Sequence, residues 1–127
     1  GLLGIAAAPD LTEWGFTDTD KATLRREGRL EEPSAYADEP YVTTLGFWES
    51  GQANRLLDAP IALDCPVRLL HGQRDADVPF DVSLRLAAAL RSGDVQTILV
   101  KEGDHRLSRE ADIALLLATL GLLGEMP

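Results

Sequence analysis

Several features that mark particular classes of protein are missing from this sequence. Cys65 is the only cysteine, so no disulfide can form within the 127 residues, and a reducing, cytoplasmic location is expected. No apolar run reaches the ~18 residues that a membrane span requires, so none is predicted. Basic residues are scarce: 12 lysines and arginines face 21 acidic residues, for a net charge of -9. Nucleic acids and anionic membranes attract basic surfaces, so neither is expected as a partner.

The beginning of the sequence lacks both a methionine and a polar lead-in. It is apolar from Gly1 to Ala8 and then turns at Pro9-Asp10, without the basic segment that opens a signal peptide. A continuous apolar run of this kind predicts a strand buried on both faces in the middle of a sheet. We therefore expect that further sequence precedes Gly1.

From Pro66 onward, strand and helix patterns alternate. Pro66–Gly72 and Val95–Val100 are rich in β-branched and other apolar residues and predict strands, and Phe80–Ser92 has apolar residues at helical spacing between them. A last helix is predicted with Ser108 as its N-cap and an end near Gly121. This alternation predicts an α/β fold with parallel strands, flanking helices and right-handed crossovers.

Residues 10–60 interrupt that alternation. A crossover between neighbouring parallel strands needs only a dozen or more residues, so residues 1–9 and 61–127 are predicted to form the core and residues 10–60 a helical insertion. Helices are expected at about Thr19 to Arg29 and Tyr41 to Leu57. The insertion holds eleven acidic residues and both tryptophans, and it follows a strand end, where a lid over a ligand crevice would lie. In the alternative interpretation, its aromatic side chains form only a satellite core.

Two loops carry the residues best suited to chemistry. Asp75 follows one predicted strand and His105 follows the next. Parallel strands end at the same edge of a sheet, ~4.8 Å apart when they are neighbours, so we expect these two side chains to lie close together. A carboxylate there can accept a hydrogen bond from the imidazole Nδ1, fix the tautomer and stabilise the imidazolium that forms in acyl transfer. Nε2 then remains available to take a proton from a nucleophile.

Both loops resemble those of the α/β-hydrolase superfamily. His-Gly-x-x-Asp-x-x-Val-Pro at 71–79 is similar to the superfamily's acid loop, and Gly-Asp-His at 103–105 is similar to its histidine loop, in the same order. The resemblance implies that Asp75 is the acid of a catalytic triad, that His105 is its base and that the insertion is a cap. It covers nearly the whole chain, which would form the C-terminal part of the fold with an incomplete sheet.

A narrower resemblance rests on two shorter segments. Ala-Pro-Asp-Leu-Thr-Glu at 8–13 and Gly-Asp-His-Arg-Leu-Ser at 103–108 resemble bacterial relatives of the mitochondrial palmitoyl-protein thioesterase and acyl-glucuronide esterase branch.

One part of the superfamily's pattern is absent. No Gly-x-Ser-x-Gly elbow, which carries the nucleophile, occurs in the sequence. None of the five serines in the sequence has the flanking glycines of the elbow; they are Ser34, Ser50, Ser83, Ser92 and Ser108. We expect the elbow and the oxyanion-hole loop to lie upstream of Gly1, and the fragment to be inactive alone, because an acid and a base without a nucleophile cannot run acyl transfer.

Other roles for the polar residues of the two loops remain open. Asp77 is an alternative acid, although the alignment with the superfamily's acid-loop motif favours Asp75. His105 is alternatively part of a surface ion-pair cluster with Asp104 and Arg106. His71 is expected to end its strand in a structural role, and Cys65 to be a buried small hydrophobe. No cofactor and no metal are predicted, because ligand spacing is lacking among His71, Asp75, Asp77 and His105.

The sequence therefore predicts a serine hydrolase that acts on small-molecule carboxylic esters or thioesters through a Ser-Asp-His triad. The alternative is a non-catalytic binding module that keeps the fold without the chemistry. Carbon–carbon bond hydrolases, dehalogenases and haloperoxidases share this architecture and differ in the nucleophile and the cap pocket.

Overall fold

The structure, a computed structural model, describes residues 1–126 as five strands and five helices. In chain order they are β1 (Leu2–Ile5), α1 (Leu11–Trp14), α2 (Asp18–Glu27), β2 (Arg29–Glu32), β3 (Tyr41–Thr44), α3 (Leu45–Ala53), β4 (Val67–Gly72), α4 (Asp81–Ala89), β5 (Val95–Val100) and α5 (Glu110–Gly124).

These elements form two compact units. The first comprises residues 1–9 and the chain from Leu56 onward, and it holds β1, β4, α4, β5 and α5; the second is Asp10–Arg55. None of the helices in residues 1–126 has the length and apolar character that a membrane span needs.

A three-stranded parallel sheet organises the first unit. Strand β4 lies between β1 and β5, with Val67 opposite both Leu2 and Val95. All six residues of β4 are buried, as expected for the central strand of a sheet with helices packed against it. Leu86 of α4 packs against the buried core cluster of Val67, Leu69 and Leu90. The predicted α/β class, with parallel strands and flanking helices, is confirmed.

Strand β1 lies at one edge of this three-stranded sheet. Within residues 1–126 it pairs with β4 alone, and Leu2 and Ile5 are 40% and 42% exposed. Burial on both faces in mid-sheet depends on neighbouring elements as well as on apolar side chains. The predicted strand is therefore present at the edge of an incomplete sheet, and its mid-sheet position in a longer chain stays a prediction.

Helix α4 ends three residues before the predicted end at Ser92. Leu90 has an extended backbone (φ -66°, ψ 132°) and bridges Ile61 in parallel fashion. This short bridge replaces the last helical turn that the apolar periodicity alone would favour.

Helix α5 begins at a different cap from the predicted one and continues past the predicted stop. Arg109, not Ser108, is the N-cap, because the Asp112 carboxylate accepts a hydrogen bond from the Arg109 backbone N–H at 3.2 Å and also binds its guanidinium. The helix passes through Gly121 and ends at Gly124. A single glycine inside a helix costs only about 1 kcal/mol, so the surrounding leucines outweigh it.

The second unit contains a pair of strands that the sequence does not predict. Tyr41–Thr44 forms β3, antiparallel to β2, before α3 begins. Val42, Thr43 and Thr44 are β-branched and favour extended backbone, a local signal that the predicted helix at 41–57 overlooks. The other predicted helix is present as α2, which ends at Gly28 in the left-handed conformation (φ 77°).

The aromatic residues of the second unit divide between core and surface. Trp48 is buried, its indole N–H donates to the Thr12 carbonyl at 3.0 Å, and the Arg25 guanidinium lies 4.9 Å from its ring centroid. Tyr41 and Phe47 are each 57% exposed. Trp48 therefore belongs to a satellite core, and the other two aromatic side chains do not.

The close contact between α1 and α3 requires a glycine at position 51. A Cβ on Gly51 would lie 2.2 Å from Thr12 Cγ2, whereas a Cβ on Gly46 in the same helix would have nothing within 4 Å. We predict that Gly51→Ala lowers the free energy of unfolding by about 1–3 kcal/mol through overpacking. Gly46→Ala is the matched control and should be neutral or stabilising, because alanine is the better helix former. Urea denaturation measures both variants, and equal effects would show that the close packing is not present.

Candidate active site

The loop after β4 is attached to the end of β5 by backbone hydrogen bonds. Gln73 N–H donates to the Val100 carbonyl and Arg74 N–H to the Gly103 carbonyl, each at 2.9 Å. Asp75 N–H donates back to the Gly72 carbonyl at 3.2 Å, which turns the chain. The acid loop and the histidine loop are therefore one connected structure at the carboxyl edge of the sheet.

Gly72 permits this close approach. A Cβ at that position would lie 2.3 Å from the Gly103 carbonyl oxygen and 2.5 Å from that of Asp104. These are backbone atoms, which cannot move aside as the end of a flexible side chain can.

The side chain of Asp75 is fully buried, and N–H groups lie close to both of its carboxylate oxygens. Oδ1 accepts from the backbone N–H of Asp77 at 2.9 Å and of Val78 at 2.8 Å. Oδ2 lies 2.9 Å from His105 Nδ1 and 3.2 Å from His71 Nε2. The sequence-predicted acid and histidine are thus brought together by the fold.

Burial and hydrogen bonding act in opposite directions on the pKa of Asp75. Burial alone would raise it, because an ionised carboxylate loses hydration. The hydrogen bonds from Val78 N–H, His105 and Asp77 N–H outweigh burial and hold the pKa of Asp75 below its ordinary value. The carboxylate is therefore ionised at neutral pH, and the His105 nitrogen that faces it carries a proton.

His105 has one nitrogen in the hydrogen-bonded network and the rest of its ring partly in solvent. Its side chain is 41% exposed, and within residues 1–126 no hydrogen bond reaches Nε2. The loop around it is shaped by Asp104, whose Oδ1 accepts from the backbone N–H groups of Arg106 and Leu107. Leu107 adopts a positive φ of 46°. Since the proton is on Nδ1, neutral His105 presents a basic Nε2 outward.

The structure also places the alternative acid and the other candidate partner of His105. Asp77 is exposed, and its backbone N–H, rather than its carboxylate, contributes to the network. The Asp104 carboxylate binds backbone N–H groups of its own loop and not the imidazole. Asp75 is therefore the carboxylate that orients His105.

Ligand atoms of Asp75, Asp77 and His105 lie within 4.8 Å of one another. Both oxygens of Asp75 are already hydrogen-bonded to N–H groups, and a cation would have to replace those donors. The absence of a metal stays a prediction.

Two residues of the network were not identified as functional from the sequence. His71 is completely buried, with Nε2 2.9 Å from the Val78 carbonyl and Nδ1 2.6 Å from Ser83 Oγ. Ser83 is also completely buried, in the first turn of α4. A signal was present in the sequence, since Ser83 is a polar residue beside Val82 on the apolar side of its helix. Within residues 1–126, no hydroxyl or thiol of the first unit hydrogen-bonds to His105.

Comparison with known proteins identifies close relatives. The chain is 39% identical over 123 residues to mouse palmitoyl-protein thioesterase ABHD10, mitochondrial, and 37% identical to the human protein of the same name. These alignments cover 94% of this chain but only 41% and 40% of the relatives, so the chain spans about two fifths of their length. No family profile matches the chain.

Two solved structures share its fold. Mouse alpha/beta hydrolase domain-containing protein 10 superposes with a TM-score of 0.84 at 38% identity, covering 95% of this chain and 50% of that one. A crystal structure from Agrobacterium vitis S4, of a protein to which a hydrolase function is attributed, gives a TM-score of 0.85 at 38% identity, covering 95% and 48%. The chain therefore has the fold of part of an α/β hydrolase, and it resembles the palmitoyl-protein thioesterase branch.

The close approach at Gly72 generates a stability prediction. Gly72→Ala should lower the free energy of unfolding by about 1–3 kcal/mol or more, because its methyl group overlaps backbone atoms. Gly93→Ala is the control, since a Cβ there meets nothing within 4 Å. Denaturant melts of the two variants test this, and an unchanged midpoint for Gly72→Ala would contradict the packing of the two loops.

The lowered pKa of Asp75 generates a prediction about pH. A group whose folded-state pKa is depressed stabilises the fold above its unfolded pKa, here about 3.8, and loses that effect as pH falls through the folded value. Asp75→Asn should therefore destabilise the protein at neutral pH, and the difference from the unsubstituted protein should shrink in acid. Asp38→Asn, at an exposed carboxylate, is the control and should leave the pH dependence unchanged. Urea midpoints measured from about pH 5 to about pH 2 make the comparison, because the folded pKa of Asp75 lies below the unfolded value; a difference that does not shrink across this range would refute it.

Proposed function

We propose that Asp75 and His105 are the acid and the base of a Ser-Asp-His triad, in a protein that hydrolyses carboxylic esters or thioesters. The observation that carries the proposal is the 2.9 Å contact between Asp75 Oδ2 and His105 Nδ1. It holds a partly exposed imidazole with Nε2 directed away from the acid. The likeness to a named palmitoyl-protein thioesterase supports a hydrolase, and the nucleophile is proposed to come from sequence outside residues 1–127.

The proposed chemistry follows from the protonation states of the two residues. His105 Nε2 accepts the proton of a serine hydroxyl as its oxygen attacks the acyl carbon, and ionised Asp75 stabilises the resulting imidazolium without taking the proton. The imidazolium then protonates the departing alcohol or thiol, leaving an acyl-serine ester. Water attacks that ester, again with His105 as base, and the serine leaves with the proton as the carboxylic acid departs.

The remaining parts of this proposal concern the substrate and the rest of the chain. The relatives' name speaks of palmitoyl-proteins, and we extend to this protein only the broader class of carboxylic esters and thioesters. A cap formed by residues 10–60, a cytoplasmic location and the absence of nucleic-acid partners stay predictions.

The function is tested in the full-length protein with a nitrophenyl ester and an acyl thioester as substrates. His105→Ala should lower kcat by roughly 10⁴-fold or more, because it removes the general base. Asp75→Asn should lower it by roughly 10⁴-fold, because the amide favours the wrong imidazole tautomer.

The matched control is Asp77→Asn, two residues along the same loop. Its carboxylate is exposed and is not hydrogen-bonded to His105, so kcat should remain within about threefold of the unsubstituted value. Full activity in His105→Ala would sink the proposed function. Catalytic inactivity of the unsubstituted full-length protein would favour the non-catalytic binding module, the alternative that the missing Gly-x-Ser-x-Gly elbow suggests.

A further inference from the structure

A second histidine lies beside the acid and is not used by the proposed chemistry. His71 is one residue before the end of β4, opposite Leu99 of β5, and its side chain is completely buried. Burying an imidazole is unfavourable unless its nitrogens are hydrogen-bonded. Both nitrogens have partners here, and the chemistry of those partners determines where the protons are.

Nε2 of His71 faces two atoms that can only accept a hydrogen bond. The Val78 carbonyl oxygen is 2.9 Å away and Asp75 Oδ2 is 3.2 Å away. A carbonyl cannot donate, and Asp75 is ionised, so Nε2 must carry a proton whether the ring is neutral or charged. That N–H hydrogen-bonds to the Val78 carbonyl, and its nitrogen lies within ion-pair distance of the acid.

Nδ1 of His71 has the opposite role. It lies 2.6 Å from Ser83 Oγ, and Ser83 is itself completely buried. In the neutral ring, with the proton on Nε2, Nδ1 accepts from the Ser83 hydroxyl. Ser83 thereby selects the tautomer that donates towards Asp75.

These contacts form a closed cycle around the acid. Val78 N–H donates to Asp75 Oδ1 at 2.8 Å, while the Val78 carbonyl accepts from His71. Oδ2 lies between two imidazoles, with His71 on the buried side and the partly exposed His105 on the other. His71 therefore holds Val78, which binds Oδ1, and it places a polar N–H on the buried side of Oδ2.

We propose that His71 is a positioning residue: through its hydrogen bond to Val78 and its close approach to Oδ2, it keeps Asp75 in the orientation that His105 requires, and Ser83 fixes the tautomer of His71. The inference rests on the proposed function of Asp75 and His105 and extends it to a buried layer behind the acid. His71 itself does not touch the reacting atoms.

The first test needs no substitution and no substrate. Nitrogen-15 NMR of the full-length protein, with the histidine signals assigned, distinguishes the two neutral tautomers of His71 directly. The expected result is a proton on Nε2 and a lone pair on Nδ1. A proton on Nδ1 with a bare Nε2 would remove the donor to the Val78 carbonyl, place a lone pair against Asp75 Oδ2 and overturn the inference.

The second test uses a pair of substitutions that separate the two nitrogens. The amide nitrogen of His71→Gln reaches the position of Nε2 and can still donate to the Val78 carbonyl beside Asp75, whereas His71→Asn extends only as far as Nδ1. His71→Asn should lower kcat roughly 10- to 100-fold while KM changes less than about threefold. His71→Gln should recover most of that loss. Ser83→Ala should give a smaller decrease in kcat, because the tautomer is then no longer fixed.

The control for general destabilisation is Val82→Ala. Val82 lies beside Ser83 in the same helical turn and is as buried as Ser83, but its side chain has no polar group. The substitution should lower stability and leave kcat within about threefold. Equal losses of kcat in His71→Asn, His71→Gln and Val82→Ala would reduce His71 to a packing role.

The proposed function and the role of His71 are separated by one comparison. If His105→Ala abolishes activity and His71→Asn leaves kcat unchanged, only the inference about His71 fails. If His105→Ala retains activity, the triad fails and the inference fails with it.

Discussion

The first unit depends on keeping one buried negative charge satisfied. The Asp75 carboxylate would be costly in the interior if it were alone, and N–H groups from three segments offset that cost. The backbone of its own loop supplies two of them, β4 supplies His71, and the loop after β5 supplies His105. Because these polar groups belong to separate segments, the Asp75 carboxylate also links those segments. The geometry of the site follows from the requirement that all of these groups reach the carboxylate at once.

The pairing of Asp75 with His105 could be predicted because it depends on topology. Consecutive parallel strands carry their following loops to one edge, and the alternation of apolar strands with an amphipathic helix is visible in the sequence. Ser83 could not be assigned in this way, since its role depends on which strand residue the first turn of α4 faces. The same limit applies to β3: the β-branched residues at 42–44 favour extended backbone, but nothing in the local sequence identifies Arg29–Glu32 as their partner.

The second unit is stabilised by its own set of contacts. Thr12 packs against Gly51, its carbonyl accepts from Trp48, and its hydroxyl donates to Gln52, which in turn donates to Glu13. A network in which small, polar and aromatic side chains are interdependent is not visible as a hydrophobic pattern. It explains why composition alone left the insertion's aromatic residues open to two interpretations.

The anchoring of β4 to β5 at both ends has a consequence for how such chains change over evolution. At the end remote from Asp75, Val67 N–H bonds to the Asp94 carbonyl, and the chain between α4 and β5 closes there. Residues gained or lost between Ser92 and Asp94 would leave the register of Gly72 opposite Val100 intact. A single residue added between Gly72 and Val78 would displace the carboxylate from its backbone donors. Length variation among relatives should therefore concentrate at the amino ends of these strands, while the spacing from His71 to Val78 stays constant.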